Sequence, residues 1–474
     1  MPPAISLHQR VSPPGTLQVW AGVTGIADAP NVRWTFDGSA VPPVFIRPFA
    51  AARVGDAANA GEERVFTAIL SFNDLPAGVP HAVEATLGSA RVRLEVRGVP
   101  AEVPEWGFPD RLRILFASCF DRKTDKGIAG PLVKSIAQSE RPDLSLFVGD
   151  QVYLDLPTFQ SLGHGLRDMA LAFETKYVAN WFPDMAGYHE LLVAGPSAFA
   201  PDDHEYWNNY PHPALYMDNT WNATVRDRWR DAARAMWEAF QLDAGSQSGQ
   251  PLRFDFPKPL SILVLDTRTD RTDSQMMSAA SATAVDAWAD FVIEQKRIPV
   301  LITGQTIFEE KAGFFGTRFG DARLANHDDY GVLVKALKKM VDAGRPVLCL
   351  TGDVHYGRIL TTEGSEKANR LYEVISSPVS LVENVAADAF SPITSLFKAK
   401  SDWPKHSDAP TKPFTLLDFG ADYDFRTTHG QRGNHVVMLS FGRISDTAVR
   451  VQATFYPLHP TKPNTPFVKE FDLR

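Results

Sequence analysis

Three short acidic clusters, two of them directly after apolar runs, constrain the fold and the chemistry of this chain more than any other feature. In Gly352-Asp353-Val354-His355 a carboxylate and an imidazole stand two residues apart. Residues i and i+2 of an extended segment point the same way, so both side chains can reach one metal ion. The other two clusters are Gly149-Asp150-Gln151-Val152-Tyr153 and Asp202-Asp203-His204-Glu205.

Each cluster also has a simpler explanation when it is taken alone. A Gly-Asp pair after a strand is commonly only a turn, because glycine supplies unusual backbone angles and aspartate bonds its own backbone. An Asp-Asp-His-Glu run can be the solvated start of a helix. Ligands in α/β folds, however, collect outside the carboxyl ends of strands. Three such clusters therefore predict one shared metal site.

Length and composition indicate a soluble globular protein of two or more domains. The chain has 474 residues, of which 44% are apolar and 22% charged, and this length exceeds one ordinary domain. The net charge of −8 comes without a Lys/Arg-rich block, which argues against a nucleic-acid-binding patch. An acidic protein that acts on an anionic substrate needs local positive charge, and a metal ion supplies it.

The cysteines and the apolar runs limit the cellular setting. Only Cys119 and Cys349 occur, so no disulfide framework is expected. No apolar run reaches the length of a transmembrane helix. The N-terminus lacks the features of an export signal, so we expect a cytoplasmic protein, or a periplasmic or secreted one whose signal has been removed.

The hydrophobic period changes near residue 104 and predicts two domains. Residues 1–104 carry short alternating stretches separated by turns, typical of a small immunoglobulin-like β-sandwich, with a linker near 97–104. Residues 105–474 predict an α/β domain with a mixed sheet. Its strands are predicted at 112–119, 144–149, 260–266, 299–303, 346–351, 371–376, 435–441 and 447–456. Its helices are predicted at 130–140, 223–241, 284–297 and 331–343.

Five motifs resemble, in chain order, the signature of the PhoD-like (alkaline phosphatase D) branch of the calcineurin-like metallophosphoesterases. They are the three clusters above together with Phe116-Ala117-Ser118-Cys119 and Leu265-Asp266-Thr267-Arg268. The resemblance implies an α/β fold, a four-layer αββα sandwich with metals at the strand ends. It also implies a β-sandwich domain ahead of the catalytic domain, which agrees with the predicted boundary.

The same resemblance implies six metal ligands. Asp150 would bridge two ions, and Cys119 and Tyr153 would hold a redox-active ion as thiolate and phenolate. The other three ligands would be Asp203, Asp353 and His355. Cys119 can alternatively be a small buried apolar residue, and Tyr153 a core tyrosine. We expect Cys349, inside an apolar run, to be core.

Two further residues would act on the substrate. His204 would stand outside the ligand shell and stabilise or protonate the leaving oxygen. Arg268 would clamp a phosphate oxygen, with a surface ion pair as the alternative. Asn208 and Asn209 are candidate ligands or phosphate donors, and the sequence does not choose between them.

The resemblance implies metal-dependent hydrolysis of phosphate esters, monoesters or diesters, by a metal-bound hydroxide. Asp353 replaces a histidine of the wider superfamily and favours hard ions: iron(III) with a divalent metal, calcium first, then magnesium, manganese or zinc. No Gly-x-Ser-x-Gly motif or Lys-containing phosphate loop occurs, which argues against a serine hydrolase or a nucleotide kinase. Rival hypotheses are a metallohydrolase of another ester class and a non-catalytic binding scaffold.

The substrate is expected to be a small phosphate ester or a phospholipid. Which of these it is depends on loops outside the shared motifs. The segment 156–199 is rich in aromatic residues and carries no recognisable motif. These residues form either the substrate pocket or the core of a helical insert. They are Phe159, Phe173, Tyr177, Trp181, Phe182 and Tyr188.

Overall fold

Two β-sheets packed face to face, with helices on both outer faces, form the main body of the protein in a computed structural model. The structure describes residues 2–53, 62–73, 75, 78–107, 110–160, 162–183, 188–214, 216–309, 311, 323–363, 371–380, 414–415, 419, 423–459 and 465–474. Every predicted site residue lies within these ranges.

The first sheet has ten strands and includes those that carry three of the five motifs. The first ten strands of the chain are β1 Ala4–Arg10, β2 Leu17–Ile26, β3 Arg33–Phe36, β4 Val44–Ala51, β5 Arg64–Phe72, β6 Pro80–Leu87, β7 Ala90–Arg97, β8 Leu112–Ala117, β9 Leu144–Val148 and β10 Ser197–Ala200. Of these, β3, β6 and β7 form a small separate sheet, and the others belong to the first sheet. The strand order is β21-β20-β19-β8-β9-β10-β1-β2-β5-β4, with β19 His435–Ser445, β20 Ala448–Pro457 and β21 Phe467–Leu473. Strands β8, β9 and β10 are parallel neighbours, so their carboxyl ends share one edge.

The second sheet has eight strands and carries the remaining motifs. They are β11 Leu252–Phe254, β12 Leu260–Val264, β13 Ile298–Thr303, β14 Val347–Thr351, β15 Gly357–Glu363, β16 Leu371–Ile375, β17 Phe414–Thr415 and β18 Asp424–Gln431. The order is β11-β12-β13-β14-β16-β15-β18-β17. Its central strands β12, β13, β14 and β16 are parallel.

Seven helices cover the outer faces of the two sheets. They are α1 Arg122–Asp125, α2 Ala129–Ser139, α3 Leu166–Trp181, α4 Tyr188–Leu192, α5 Ala223–Phe240, α6 Ala279–Glu294 and α7 Tyr330–Asp342 among the residues described. Short 3₁₀ turns lie at Asp203–Glu205, Asp218–Thr220 and Leu324–Asn326. No helix in the described part of the chain is long and apolar enough to cross a membrane.

Alternating side chains of the parallel strands build three stacked cores. In β14, Leu348 and Leu350 face the core between the sheets, whereas Cys349 faces the core under α6 and α7. This alternation follows from the two-residue repeat of a strand. Cys349 is therefore core, as predicted. The aromatic stripe of α5, with Trp229 and Phe240 fully buried, packs on the outer face of the first sheet. These layers confirm the predicted four-layer αββα fold.

The N-terminal segment joins the first sheet rather than forming a detached unit. Strand β1 runs parallel to β10, with Arg10 opposite Ser197, and β2, β5 and β4 follow as antiparallel neighbours. The small sheet of β3, β6 and β7 packs against these strands through a hydrophobic cluster of its own. Two facing sheets agree with a β-sandwich, but one of them is continuous with the main body. The domain boundary at 104/105 stays a prediction.

Candidate metal centre

The four strand ends that carry the candidate ligands come together at one edge of the two sheets. Cys119 follows β8, Asp150 follows β9, Asp203 follows β10 and Asp353 follows β14. The first three strands belong to one sheet and β14 to the other. The site therefore lies where the carboxyl ends of both parallel sets meet, the usual place for a ligand in an α/β fold.

Glycines let these strand ends approach more closely than any other residue would allow. A Cβ atom on Gly149 would lie 2.4 Å from the Cβ of Asp202, and one on Gly352 would lie 2.4 Å from the carbonyl oxygen of Val148. Both distances are shorter than real Cβ contacts. A Gly-Asp pair is common in ordinary turns, but the glycines of these two pairs are required by the close contact between neighbouring loops.

Four candidate ligands adopt the left-handed backbone conformation, which is uncommon for residues with a side chain. Their φ angles are 58° for Cys119, 60° for Asp150, 71° for Asp353 and 56° for His355. Such angles cost free energy and persist where the surrounding structure enforces them, most often at functional sites. Their concentration around one point supports a functional site at these strand ends.

Among the residues that the structure describes, ligand-type atoms form three overlapping groups, each with all its atoms within 4.8 Å of one another. The groups are Cys119 with Asp150 and His355, Asp150 with Asp203 and His204, and Asp150 with Asp202 and Asp353. Asp150 belongs to all three. A carboxylate has two oxygens, so this position suits a residue that bridges two ions.

A thiol and a phenol point at the same oxygen of Asp150. Cys119 Sγ and Tyr153 Oη each lie 3.4 Å from Asp150 Oδ2, and the hydroxyl of Ser377 donates to Cys119 Sγ at 3.2 Å. Metal ions displace such protons when thiols and carboxyls become ligands. The sulfur of Cys119 and the oxygens of Tyr153 and Asp150 can therefore bind one cation together.

The electrostatics of the cluster also favour a bound cation. Burial raises the pKa of Cys119 and of Tyr153, and the negative charge of Asp150 raises both further. Burial likewise raises the pKa of Asp150 well above its ordinary value. Burial and nearby His204 lower the pKa of His355 to about 4, which keeps this imidazole neutral and able to bind metal. The anionic forms of these buried groups therefore need positive charge nearby, and a metal ion supplies it.

His204 is held by a carboxylate that the sequence analysis did not select. Asp155 Oδ1 lies 2.8 Å from His204 Nδ1, and Asp155 Oδ2 accepts the Tyr216 hydroxyl at 2.7 Å and the backbone N–H of Asn208 at 2.9 Å. Burial alone would lower the pKa of His204, but nearby carboxylates outweigh burial and raise it. The only sequence signal for Asp155 is its place in Gly-Asp-Gln-Val-Tyr-Leu-Asp.

Arg268 is buried and paired with Asp202, one of the carboxylates beside Asp150. Its side chain is fully buried, with Nε 2.7 Å and Nη2 2.5 Å from Asp202 Oδ1 and with Nη1 donating to the carbonyl of Tyr210 at 3.1 Å. The predicted alternative was an ion pair at the surface, and the observed pair is in the interior. The strand-end position alone could not distinguish a guanidinium that faces solvent from one that turns inward to a buried carboxylate.

The two asparagines after the third cluster have different surroundings. The backbone N–H of Asn208 bonds Asp155, whereas that of Asn209 donates to Asp203 Oδ2 at 2.6 Å. Asn209 is 6% exposed, has φ of 66°, and its Oδ1 has no hydrogen-bond partner in the described part of the chain. A buried carbonyl oxygen without a partner is costly. Asn209 is thus the better candidate for an additional ligand.

Most of the aromatic residues in segment 156–199 are core. Five of the six belong to the buried cluster on the outer face of the first sheet, namely Phe173, Tyr177, Trp181, Phe182 and Tyr188. Phe159 is 62% exposed and is the exception. The core alternative therefore holds for these five residues, because α3 and α4 use them to cover the sheet.

Comparisons with known proteins agree with this geometry. Residues 114–297 match the family model of PhoD-like phosphatases. The fold is similar to a structure of PhoD, with a TM-score of 0.60, 12% identity and coverage of 98% of this chain and 89% of that one. It is also similar to purple acid phosphatase PPD1 from yellow lupin (Lupinus luteus) seeds, with a TM-score of 0.55, 12% identity and coverage of 99% and 74%. No curated protein matches the sequence.

The matched residues include most of β8 and all of β9, β10 and β12 with the first four motifs, and the fifth motif follows β14 of the same fold. The structural likeness extends over nearly the whole chain. The chain therefore carries a PhoD-like phosphatase domain on a fold similar to those of PhoD and purple acid phosphatase, which classes it among the phosphoester hydrolases.

Proposed function

We propose that this phosphatase hydrolyses phosphate esters by a metal-dependent route centred on Asp150, with Cys119, Tyr153 and His355 around one ion and Asp203 and Asp353 around a second. The observation that carries the proposal is that Asp150 belongs to all three groups of ligand-type atoms. Bound metal ions would neutralise phosphoryl oxygens and make a water nucleophilic near neutral pH. Asn209 would add a neutral oxygen donor beside Asp203.

Asp202 also belongs to one of the ligand groups, but its charge is offset by Arg268. A buried carboxylate that pairs with a guanidinium has less charge to give to a metal ion. Arg268 would therefore act as a positioning residue that fixes the loop after β10. The phosphate clamp expected from the sequence stays a prediction for the same residue.

His204 would hold and deliver a proton at the leaving-group oxygen. Asp155 orients the ring through Nδ1, and the backbone amide of His204 lies 3.3 Å from Asp150 Oδ1. A ring nitrogen of His204 also lies within 4.8 Å of a carboxylate oxygen of Asp150, so the ring would stand beside a phosphate bound at this centre. A positioned acid of this kind contributes roughly 10²–10⁴-fold to a rate.

Chelation is expected to abolish hydrolysis of phosphate esters, and a divalent ion should restore it. The physical reason is that the proposed ligands cannot neutralise a phosphoryl group by themselves, since they are anionic or neutral. The measurement is turnover of a panel containing phosphate monoesters, phosphate diesters, phospholipids and carboxylic esters, before and after dialysis against chelator. Activity that survives prolonged chelation in protein shown to be metal-free would contradict the proposal. Turnover of carboxylic esters alone would favour the other ester class.

Iron(III) at Cys119 and Tyr153 is expected to colour the protein. Thiolate and phenolate are anionic donors that stabilise a trivalent ion, and their charge-transfer bands fall in the visible range. Tyr153→Phe should shift or remove the band, and Cys119→Ser should weaken iron retention because a serine hydroxyl is not ionised near neutral pH. The measurements are visible spectra and metal analysis, with Cys349→Ser as the matched control. Identical spectra for iron-loaded wild type and both variants would exclude contact of either residue with iron.

The second ion is expected to be calcium, to be tested by the same metal analysis.

A further inference from the structure

Glu205 collects the backbone amides of two separate loops at the metal centre. Its Oε2 accepts the N–H groups of Asp150 and Asp202, both at 2.9 Å, and its Oε1 accepts the N–H of Gln151 at 2.7 Å. Asp150 and Gln151 follow β9, and Asp202 follows β10. The side chain is fully buried. One carboxylate therefore ties together the two strand ends that carry Asp150 and Asp203.

The three hydrogen bonds hold a strained part of the backbone. Asp150 has φ of 60°, and the loops are already in contact at Gly149. A left-handed aspartate persists only when its surroundings enforce it. Backbone N–H groups from both loops converge on this one buried carboxyl group, so Glu205 is well suited to hold this conformation.

We infer that Glu205 is a positioning residue that sets the distance between the bridging carboxylate of Asp150 and the ligand Asp203. The inference rests on the proposed metal function and deepens it, because Glu205 itself belongs to none of the ligand groups found among the described residues. Partners that orient metal ligands typically contribute on the order of 10–100-fold in metal affinity. Glu205 would act on metal affinity through backbone geometry alone.

Glu205→Gln tests the inference with little change in shape. Glutamine offers one acceptor oxygen and an NH₂ donor, so it cannot accept from all three amides, and at least one of the three hydrogen bonds is lost. We expect the dissociation constant for Mn²⁺ or Ca²⁺ to rise on the order of 10–100-fold in chelator-treated protein. Glu205→Asp keeps the charge but shortens the reach, so it should weaken binding in the same direction.

Glu174→Gln is the matched control for the loss of a buried carboxylate. Glu174 is buried in α3 and pairs with Arg53 at 3.0 Å. Glu174→Gln should lower the midpoint of thermal unfolding without changing metal affinity. If Glu205 has only a structural role, Glu205→Gln should also lower this midpoint and leave metal affinity unchanged. The measurements are calorimetric titration with Mn²⁺ and Ca²⁺ and thermal unfolding of the metal-free proteins.

Hydrogen exchange provides a test that needs no variant. The amides of Asp150, Gln151 and Asp202 should be protected in the metal-free wild type, because Glu205 holds them without metal. Rapid exchange of these amides would overturn the inference, and so would a Glu205→Gln protein with wild-type metal affinity. A wild-type protein that binds neither ion would instead overturn the proposed function. The two failures are therefore distinguishable.

Discussion

Asp150→Ala is expected to lose bound metal and turnover together, with a larger effect than any other single substitution at the centre. Asp150 takes part in all three ligand groups, so its removal would take one ligand from each ion and the charge between them. The loss of turnover should exceed the roughly 10²–10⁴-fold that removal of a general acid costs. Metal analysis of the purified variant and kcat for the best substrate of the panel are the measurements.

Asp143→Ala is the matched control, because Asp143 stands before the opposite end of the same strand. Its Oδ2 accepts the backbone N–H of Arg113 at 2.9 Å, at the base of β8 and β9. Loss of this bond should lower stability by about 1–2 kcal/mol and leave the metal content unchanged. If Asp150→Ala kept both metals while Asp143→Ala lost them, Asp150 would not be the bridging ligand.

The sequence predicted the layers well because their cause is local. Alternation and helical periodicity are written in consecutive residues, so the predicted strand 144–149 and helix 331–343 match β9 Leu144–Val148 and α7 Tyr330–Asp342 closely. The predicted sandwich of the N-terminal segment was harder to delimit. Pairing of β1 with β10 joins residues nearly two hundred positions apart, and no local pattern encodes such a partner.

The candidate site shows the same division between local and distant causes. The motifs located the strand ends where Asp150 and Asp353 meet, because a ligand type at a strand end is a local signal. They could not show that Arg268 turns inward to Asp202, since burial of a guanidinium depends on its distant partner. Asp155 was missed for a related reason: its role depends on His204, 49 residues away in sequence.

His204→Ala is expected to retain metal and to lose on the order of 10²–10⁴-fold in turnover, the usual contribution of a general acid. The loss should depend on the leaving group, because an alkoxide needs a proton more than a nitrophenolate does. We therefore expect a large loss with an alkyl phosphate and a much smaller one with p-nitrophenyl phosphate. The measurements are metal content and kcat/KM for both substrates.

Asp155→Asn should reproduce part of this pattern without touching the ring of His204. The amide can still contact Nδ1, but it no longer stabilises a protonated imidazole by charge, and it no longer offers a second anionic oxygen to Tyr216 and Asn208. Tyr216→Phe removes only one of these contacts and serves as the milder comparison. We expect the loss of kcat/KM for the alkyl phosphate to follow the order His204→Ala, Asp155→Asn, Tyr216→Phe.

Metal content then decides between the two roles open to His204. One group of ligand-type atoms contains His204 with Asp150 and Asp203, so direct binding to metal is a real alternative to proton donation. A ligand would lose metal on substitution and slow both substrates equally, because the nucleophile and the phosphate site would fail together. An acid held by Asp155 would leave the metals in place and slow mainly the substrate with the poor leaving group. An equal loss for both substrates from a metal-depleted variant would assign His204 to the ligand set.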